Sequence, residues 1–271
     1  MRNKIILIIT MVLLLLPVYL MIIGGFQDVR GVMRMPPKLY PTNPTLENYR
    51  ILSGYPLARW ILNSIIVVLA TAIISVLVSA SAGFVFSAYE FRLKKPLWML
   101  YLIGIMIPRI TLYIPHYIII KYLGISGTLL AVILPVCFNP IGLYLARNYF
   151  NTVPKSLIES ARIDGATELQ ILKHIIIPIS KPIITALALF SAIGSLGDYV
   201  WQSLVLQAPE RQTLLVGLMR TITNFAQTPE GRINPLGRSM AIGTILFIPL
   251  LIIFLTANKY FTTALGGAVK E

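Results

Sequence analysis

Residues Pro154 to Pro182 read PKSLIESARIDGATELQILKHIIIPISKP. This polar stretch lies between long apolar runs, so it is a loop of a membrane protein, yet it carries the signals of two short helices. Pro154 suits the first turn of a helix, where its missing N–H is not needed. Ser156 and Glu159 have the spacing of a capping box. Gly165 can take the left-handed conformation that ends a helix. Thr167 and Gln170 repeat the capping spacing, so a second helix starts at once. Leu169, Leu172, Ile176 and Ile179 then share one helical face, and Pro178 and Pro182 disturb or end that helix. A structured polar helix–turn–helix between membrane spans is built to touch something outside the membrane.

The rest of the chain supplies the membrane. It is 56% hydrophobic and 12% charged, with mean hydropathy +0.79, where a soluble domain needs charged residues at roughly 25%. A transmembrane helix needs roughly 20 apolar residues. Ile5–Gly25, Ile61–Tyr89, Tyr122–Ala146 and Ser239–Asn258 meet this without a charge. Pro182–Leu206 is broken only by Asp198, and Pro96–Tyr117 by Arg109 between Pro108 and Pro115. The expected fold is all-α and polytopic, with six spans. The basic start (Arg2, Lys4) imitates a secretory signal. Its apolar run is too long for one, however, and no small-x-small site precedes Phe26, so it is read as a retained helix.

Six spans place both termini on one side. The short Glu90–Lys95 turn holds Arg92, Lys94 and Lys95, and the weight of basic residues in short loops puts that side inside. The net charge of +13 flanks apolar segments and fits anionic membrane lipid rather than nucleic acid. Lone Cys137 permits no internal disulfide. No GxxxxGK[ST], HExxH or GxSxG motif occurs, and His116 and His174 have no ligand-spaced companions. The chain is therefore expected to be neither an enzyme nor a metal site, and any energy it uses must come from a partner. One membrane domain covers 1–271, with the first span and an extracytoplasmic segment in 1–60, five core spans in 61–262 enclosing the loop 150–182, and a tail at 263–271.

Glu159-Ser160-Ala161, Gly165 and Ile175-Ile176-Ile177-Pro178 resemble the E-A-A-x3-G-x9-I-x-L-P signature of ABC importer permeases, with Ser160 and Ile177 as departures. Thr45-Leu46-Glu47-Asn48-Tyr49 is similar to the TLxNY segment of carbohydrate-type permeases, and Asn63-Ser64 to the NS that opens their second span. Ile107-Pro108-Arg109, Ile114-Pro115 and Leu123-Gly124 resemble the family's third-span region. The tail Gly266-Gly267-Ala268-Val269-Lys270 resembles the GAVKG ending of the smaller maltose-type permease.

The resemblance implies a MetI-like permease subunit of a binding-protein-dependent importer for a sugar or oligosaccharide, or for a solute such as glycerol phosphate. Its partners would be a second homologous permease, a dimer of ATPase subunits that binds the ATP and Mg, and an extracytoplasmic solute-binding protein. The permease itself would carry no cofactor. Glu159, Ser160, Ala161, Asp164, Gly165, Ala166 and Thr167 would couple to the ATPase in the cytoplasm, which also sets both termini there. Glu159 has a second reading as a cap for the first short helix. Gly266, Gly267, Ala268, Val269 and Lys270 would reach along the ATPase, or form a frayed end.

Asp198 is the one acid within a span, and such groups are costly and functional suspects. Asp198 and Tyr199 line a pathway or lie at an outer aromatic belt with Trp201. Arg109, beside a broken helix, lines a cavity or anchors the interface.

Overall fold

A computed structural model describes residues 2–34, 36, 38–226 and 234–266, with side chains described up to Leu255 in the last helix. The helices are α1 (Arg2–Gly25), α2 (Val29–Val32), α3 (Glu47–Arg50), α4 (Leu57–Ala88), α5 (Lys94–Ile105), α6 (Tyr113–Tyr122), α7 (Leu129–Cys137), α8 (Pro140–Phe150), α9 (Lys155–Ile163), α10 (Glu168–Ile171), α11 (Ile177–Ile179), α12 (Lys181–Gly197), α13 (Tyr199–Val205), α14 (Leu214–Ala226) and α15 (Pro235–Gly266).

Three helices, α1, α4 and α15, are long and apolar enough to cross a membrane. Three bent pairs raise the number to at most six if each pair counts as one span, at 99° between Lys94–Ile105 and Arg109–Tyr122, 41° between α7 and α8, and 87° between Glu168–Ile179 and α12. Each bend has a chemical cause. Pro108, Pro140 and Pro182 each lack the N–H that would continue a helix across the break. The span expected at Pro182–Leu206 is accordingly α12, then a break at Asp198, then the short α13. On α1 every residue from Ile5 to Leu15 other than Thr10 is a large apolar side chain more than half exposed. A helix apolar all round has hydrocarbon for its surroundings.

The chain forms two compact units, residues 1–60 with 214–252, and residues 61–213 with 253–271. In the first unit α1 and α15 meet through small residues. A Cβ on Gly24 would lie 2.1 Å from Met240 Sδ, and one on Gly25 would lie 3.1 Å from the Ala241 backbone. Asn48, buried in the TLENY segment, donates to the carbonyls of Gly25 at 3.0 Å and Gln27 at 2.8 Å. Asn234, just before α15, donates to Asn48 Oδ1 at 3.0 Å and to the Gln27 carbonyl at 3.2 Å. Two amides thus satisfy the carbonyls that the end of α1 leaves open. Trp60 packs into the space that Gly217 leaves on α14, beside Leu52, Leu218 and Ile242.

In the second unit α4 is the central element. Ser79 and Gly83 face Gly142 and Ala146 of α8 at contact distance, and Ser75 Oγ meets Ser191 Oγ of α12 at 2.8 Å. Small residues and interhelical hydroxyl bonds are the usual means of close helix packing in lipid. Asn63 donates to the carbonyls of Gln212 at 2.8 Å and Glu210 at 3.0 Å. It thereby holds the segment after α13 against the start of α4.

Candidate functional site

The loop folds as the turn signals require, with one correction. Gly165 has φ +83°, and a Cβ at that position would meet nothing within 4 Å, so only its backbone conformation demands glycine. Thr167 and Gln170 form the capping box, each side chain accepting from the other's backbone N–H. Ser156 and Glu159 do not. Pro154, extended at φ −58° and ψ 126°, is itself the N-cap of α9. Ser156 therefore sits inside the first turn, past the position from which a hydroxyl reaches back to the free amides.

The apolar face also differs from the expected one. Ile171, Leu172 and Ile176 are buried, while Leu169 and Ile179 are exposed. Residues Leu172–Ile176 form a π turn. Its wider pitch passes the buried positions to a spacing of four and five, and such turns occur where a helix serves a site. The buried residues join Ile158 and Ala161 of α9 in a core with Phe84, Ala146, Phe150 and Leu187. Ala161 thus faces inward. Glu159, Ser160, Asp164, Gly165 and Thr167 are exposed and Ala166 is half-buried. Glu159 makes no ion pair among the described residues. Ile163, 87% exposed, is an apolar knob beside these polar groups. A sequence pattern that seeks buried apolar residues passes over it.

An ion pair closes the reversal. Arg162 Nε lies 2.8 Å from Glu168 Oε1 and Nη2 lies 3.2 Å from Oε2, a two-pronged bond across Gly165. The Arg162 guanidinium also sits 5.2 Å from the centre of the Tyr89 ring. Hydrogen bonding to Arg162 lowers the Glu168 carboxyl from its ordinary value, and the same bond raises Arg162. Burial, with the Glu168 carboxylate nearby, raises the Tyr89 hydroxyl above its ordinary value. Lys94, at the start of α5, donates to the Tyr89 carbonyl at 2.7 Å and to Glu90 at 2.8 Å.

Arg109 and Asp198 are partners. Asp198 sits at the break between α12 and α13, and its side chain is 7% exposed. It accepts from Arg109 Nη2 at 3.2 Å, Tyr113 Oη at 3.0 Å and the Trp201 N–H at 3.3 Å, the last as cap of α13. A carboxylate with three donors, one of them a cation, has the partners that its low-dielectric setting demands. Arg109 borders a cavity of about 550 Å³ walled by Tyr101, Tyr113, His116, Phe138 and Trp201.

Trp201 is 1% exposed, and its ring meets Tyr113 at 5.6 Å and His116 at 6.0 Å. Tyr199 is half-buried at the start of α13. Of the tail residues, Gly266 ends α15, and Gly267, Ala268, Val269 and Lys270 lie outside the described residues.

These features have counterparts in known proteins. Residues 75–266 match the family described as "binding-protein-dependent transport system inner membrane component". The chain is 28% identical over 263 residues to the arabinooligosaccharides transport system permease protein AraQ of Bacillus subtilis (strain 168), covering 95% of this chain and 91% of AraQ. It is 31% identical over 240 residues to the galactooligosaccharides transport system permease protein GanQ of the same organism, covering 86% and 82%. It is 27% identical over 277 residues to the sn-glycerol-3-phosphate transport system permease protein UgpE of Brucella abortus (strain 2308), covering 99% and 96%.

A crystal structure of a bacterial ABC transporter involved in the import of the acidic polysaccharide alginate has a chain of the same fold, with TM-score 0.83, 23% identity and coverage of 96% and 95%. The family match takes in the α4 seam, the helix–turn–helix, the Arg109–Asp198 cavity and α15 alike, and the chain belongs to the inner-membrane permease components of binding-protein-dependent transport systems.

Proposed function

We propose that the chain is one permease subunit of an ABC importer that carries a sugar or oligosaccharide inward, with Pro154–Pro182 as its contact with the ATPase. One observation carries this reading. A polar helix–turn–helix with an exposed rim is anchored by an apolar core to three membrane helices, α4, α8 and α12. Glu159, Ser160, Asp164, Gly165 and Thr167 form that rim with Ile163. Ala161 supports it from within, and Ala166 lies at its edge.

Two partner ATPase subunits bind the ATP and Mg. Their closure moves the loop, and the apolar core passes that movement to the helices. A second permease completes the central passage, and an extracytoplasmic binding protein delivers the solute. The loop and both termini lie in the cytoplasm, in keeping with the basic Glu90–Lys95 turn. The tail from Gly266 to Lys270 follows the ATPase. In the membrane the solute passes the Arg109–Asp198 cavity, whose aromatic walls and paired charges suit a polyhydroxylated molecule.

A glycerol phosphate is the second reading, favoured by the likeness to UgpE along nearly the whole chain. The test is co-purification of the chain with its ATPase, second permease and binding protein, followed by ATPase assays. Arabinotriose, galactotriose, maltotriose and sn-glycerol-3-phosphate would be compared as stimulants. Stimulation by an oligosaccharide alone supports the first reading, and stimulation by glycerol phosphate alone supports the second. Failure of an ATPase to co-purify overturns both.

A further inference from the structure

The apolar core beneath the docking loop transmits movement by contact that is itself non-directional. A second connection is different in kind. Arg162, next to the Gly165 reversal, holds Glu168 with two bonds, at 2.8 and 3.2 Å. The same guanidinium lies over the Tyr89 ring, 5.2 Å from its centre. Tyr89 follows the last residue of α4, and its carbonyl accepts from Lys94, the first residue of α5. The Lys94 side chain is 13% exposed and also holds Glu90. Beside this chain of contacts the flank is open, a groove of about 420 Å³ bordered by Phe84, Val85, Glu168 and Leu169. On that flank the polar contacts bridge the gap.

We infer that Arg162, Glu168 and Tyr89 are positioning residues that carry the docking loop's movement into the α4–α5 turn, and through Lys94 into α5. The inference rests on the reading of Pro154–Pro182 as the ATPase contact. Its physical basis is the fixed geometry of a two-pronged bond and a stacked cation, both of which resist rotation and sliding. Stability is not the reason for the pair. Its side chains are 37% and 43% exposed, and exposed ion pairs contribute little to folding. The value of the contact lies in direction. The far end of α5 is the Pro108 break, and Arg109 beyond it meets Asp198. A displacement entering at Lys94 therefore reaches the charged pair in the membrane along one helix of 12 residues.

The test uses the assembled importer in lipid, with ATP and vanadate as the probe. Two spin-label pairs report separately, Ser156 with Leu204 for the loop and Leu100 with Leu204 for α5. In the otherwise unaltered protein, vanadate trapping shifts both distances. In Glu168→Ala and in Tyr89→Leu the ATPase stays bound and the loop shift remains, while the α5 shift falls well below that of the unaltered protein. Tyr89→Phe, which keeps the ring beneath Arg162, retains at least half of the α5 shift. A full α5 shift in Glu168→Ala overturns the inference, because the apolar core then suffices. Absence of any loop shift in the unaltered protein instead overturns the reading of the loop as the ATPase contact.

Discussion

Arg109 and Asp198, 89 residues apart in sequence, meet at 3.2 Å, each at a place where a membrane helix is interrupted. The pairing explains how one acid and one base are tolerated among apolar spans. Neither is balanced by a neighbour in sequence, and each balances the other.

Removing one partner should therefore do more harm than removing both charges. Arg109→Ala leaves the Asp198 carboxylate with Tyr113 and one backbone N–H, and should lower stability in detergent by about 1–3 kcal/mol. Arg109→Ala combined with Asp198→Asn should recover part of that loss, since no net charge remains. Thermal aggregation of the purified subunit measures both. A double variant worse than Arg109→Ala would show the ion pair to be unimportant.

Gly165 is required by its φ of +83°, so Gly165→Val should distort the reversal, since a β-branched residue is strongly disfavoured there. The ATPase should dissociate or hydrolyse ATP without uptake, while insertion and pairing with the second permease persist. Glu159→Ala should weaken the same contact by about 1–3 kcal/mol if its carboxylate meets a cation of the ATPase. ATPase co-purification together with uptake measures both. Uptake at the unaltered level in Gly165→Val would remove this loop from the coupling path.

Asn48 is 2% exposed and bonds two carbonyls and a second amide. Asn48→Leu should cost about 1–3 kcal/mol by stranding a buried carbonyl, without altering ATPase attachment. A melting temperature equal to that of the unaltered protein would contradict the role given to this residue.

The Arg162–Glu168 pair predicts a pH response with a definite sign. Hydrogen bonding to Arg162 lowers Glu168 below its ordinary value of 4.5. The contribution is therefore complete above the ordinary value and is lost as the pH falls through the lowered one. The pair's contribution to the order of the docking loop, small because both side chains are partly exposed, should persist from about pH 7 to about pH 5 and fade only in stronger acid. Amide exchange across Arg162–Gln170 reads this. Loss of protection near neutral pH would assign the order of the loop to another group.

Topology gives a separate test. An impermeant thiol reagent on intact cells should label a cysteine at position 38 and spare one at position 162. Labelling at 162 would place the loop on the wrong face for an ATPase.

The sequence is most informative where short-range chemistry governs. The apolar runs announce six spans, and Gly165 and the Thr167–Gln170 spacing announce the reversal, because each is fixed by groups a few residues apart. The Ser156–Glu159 box fails because Pro154 takes the cap position, a competition between neighbours that spacing alone does not resolve. Leu169 and Ile179 fall on the buried face only if a period of 3.6 runs on through Leu172–Ile176, where the helix instead widens to a π turn. Arg109 and Asp198 each stand out in the sequence as misfits. Their pairing is not legible there, since it depends on two helix breaks meeting in space. Ile163 escapes notice because an exposed apolar side chain carries no periodic mark.

The clasp between Asn48 and Asn234 spans 186 residues, and this sets an order of events during synthesis. The Asn48 amide can reach the end of α1 as soon as both have left the ribosome, but its oxygen waits for a donor that is made after five of the six spans. Until Asn234 arrives, the first unit retains an unsatisfied amide oxygen at a site destined for burial. A chain interrupted before α15 keeps that defect for good, and it exposes the small-residue surface of α1 at Gly24 and Gly25 as well.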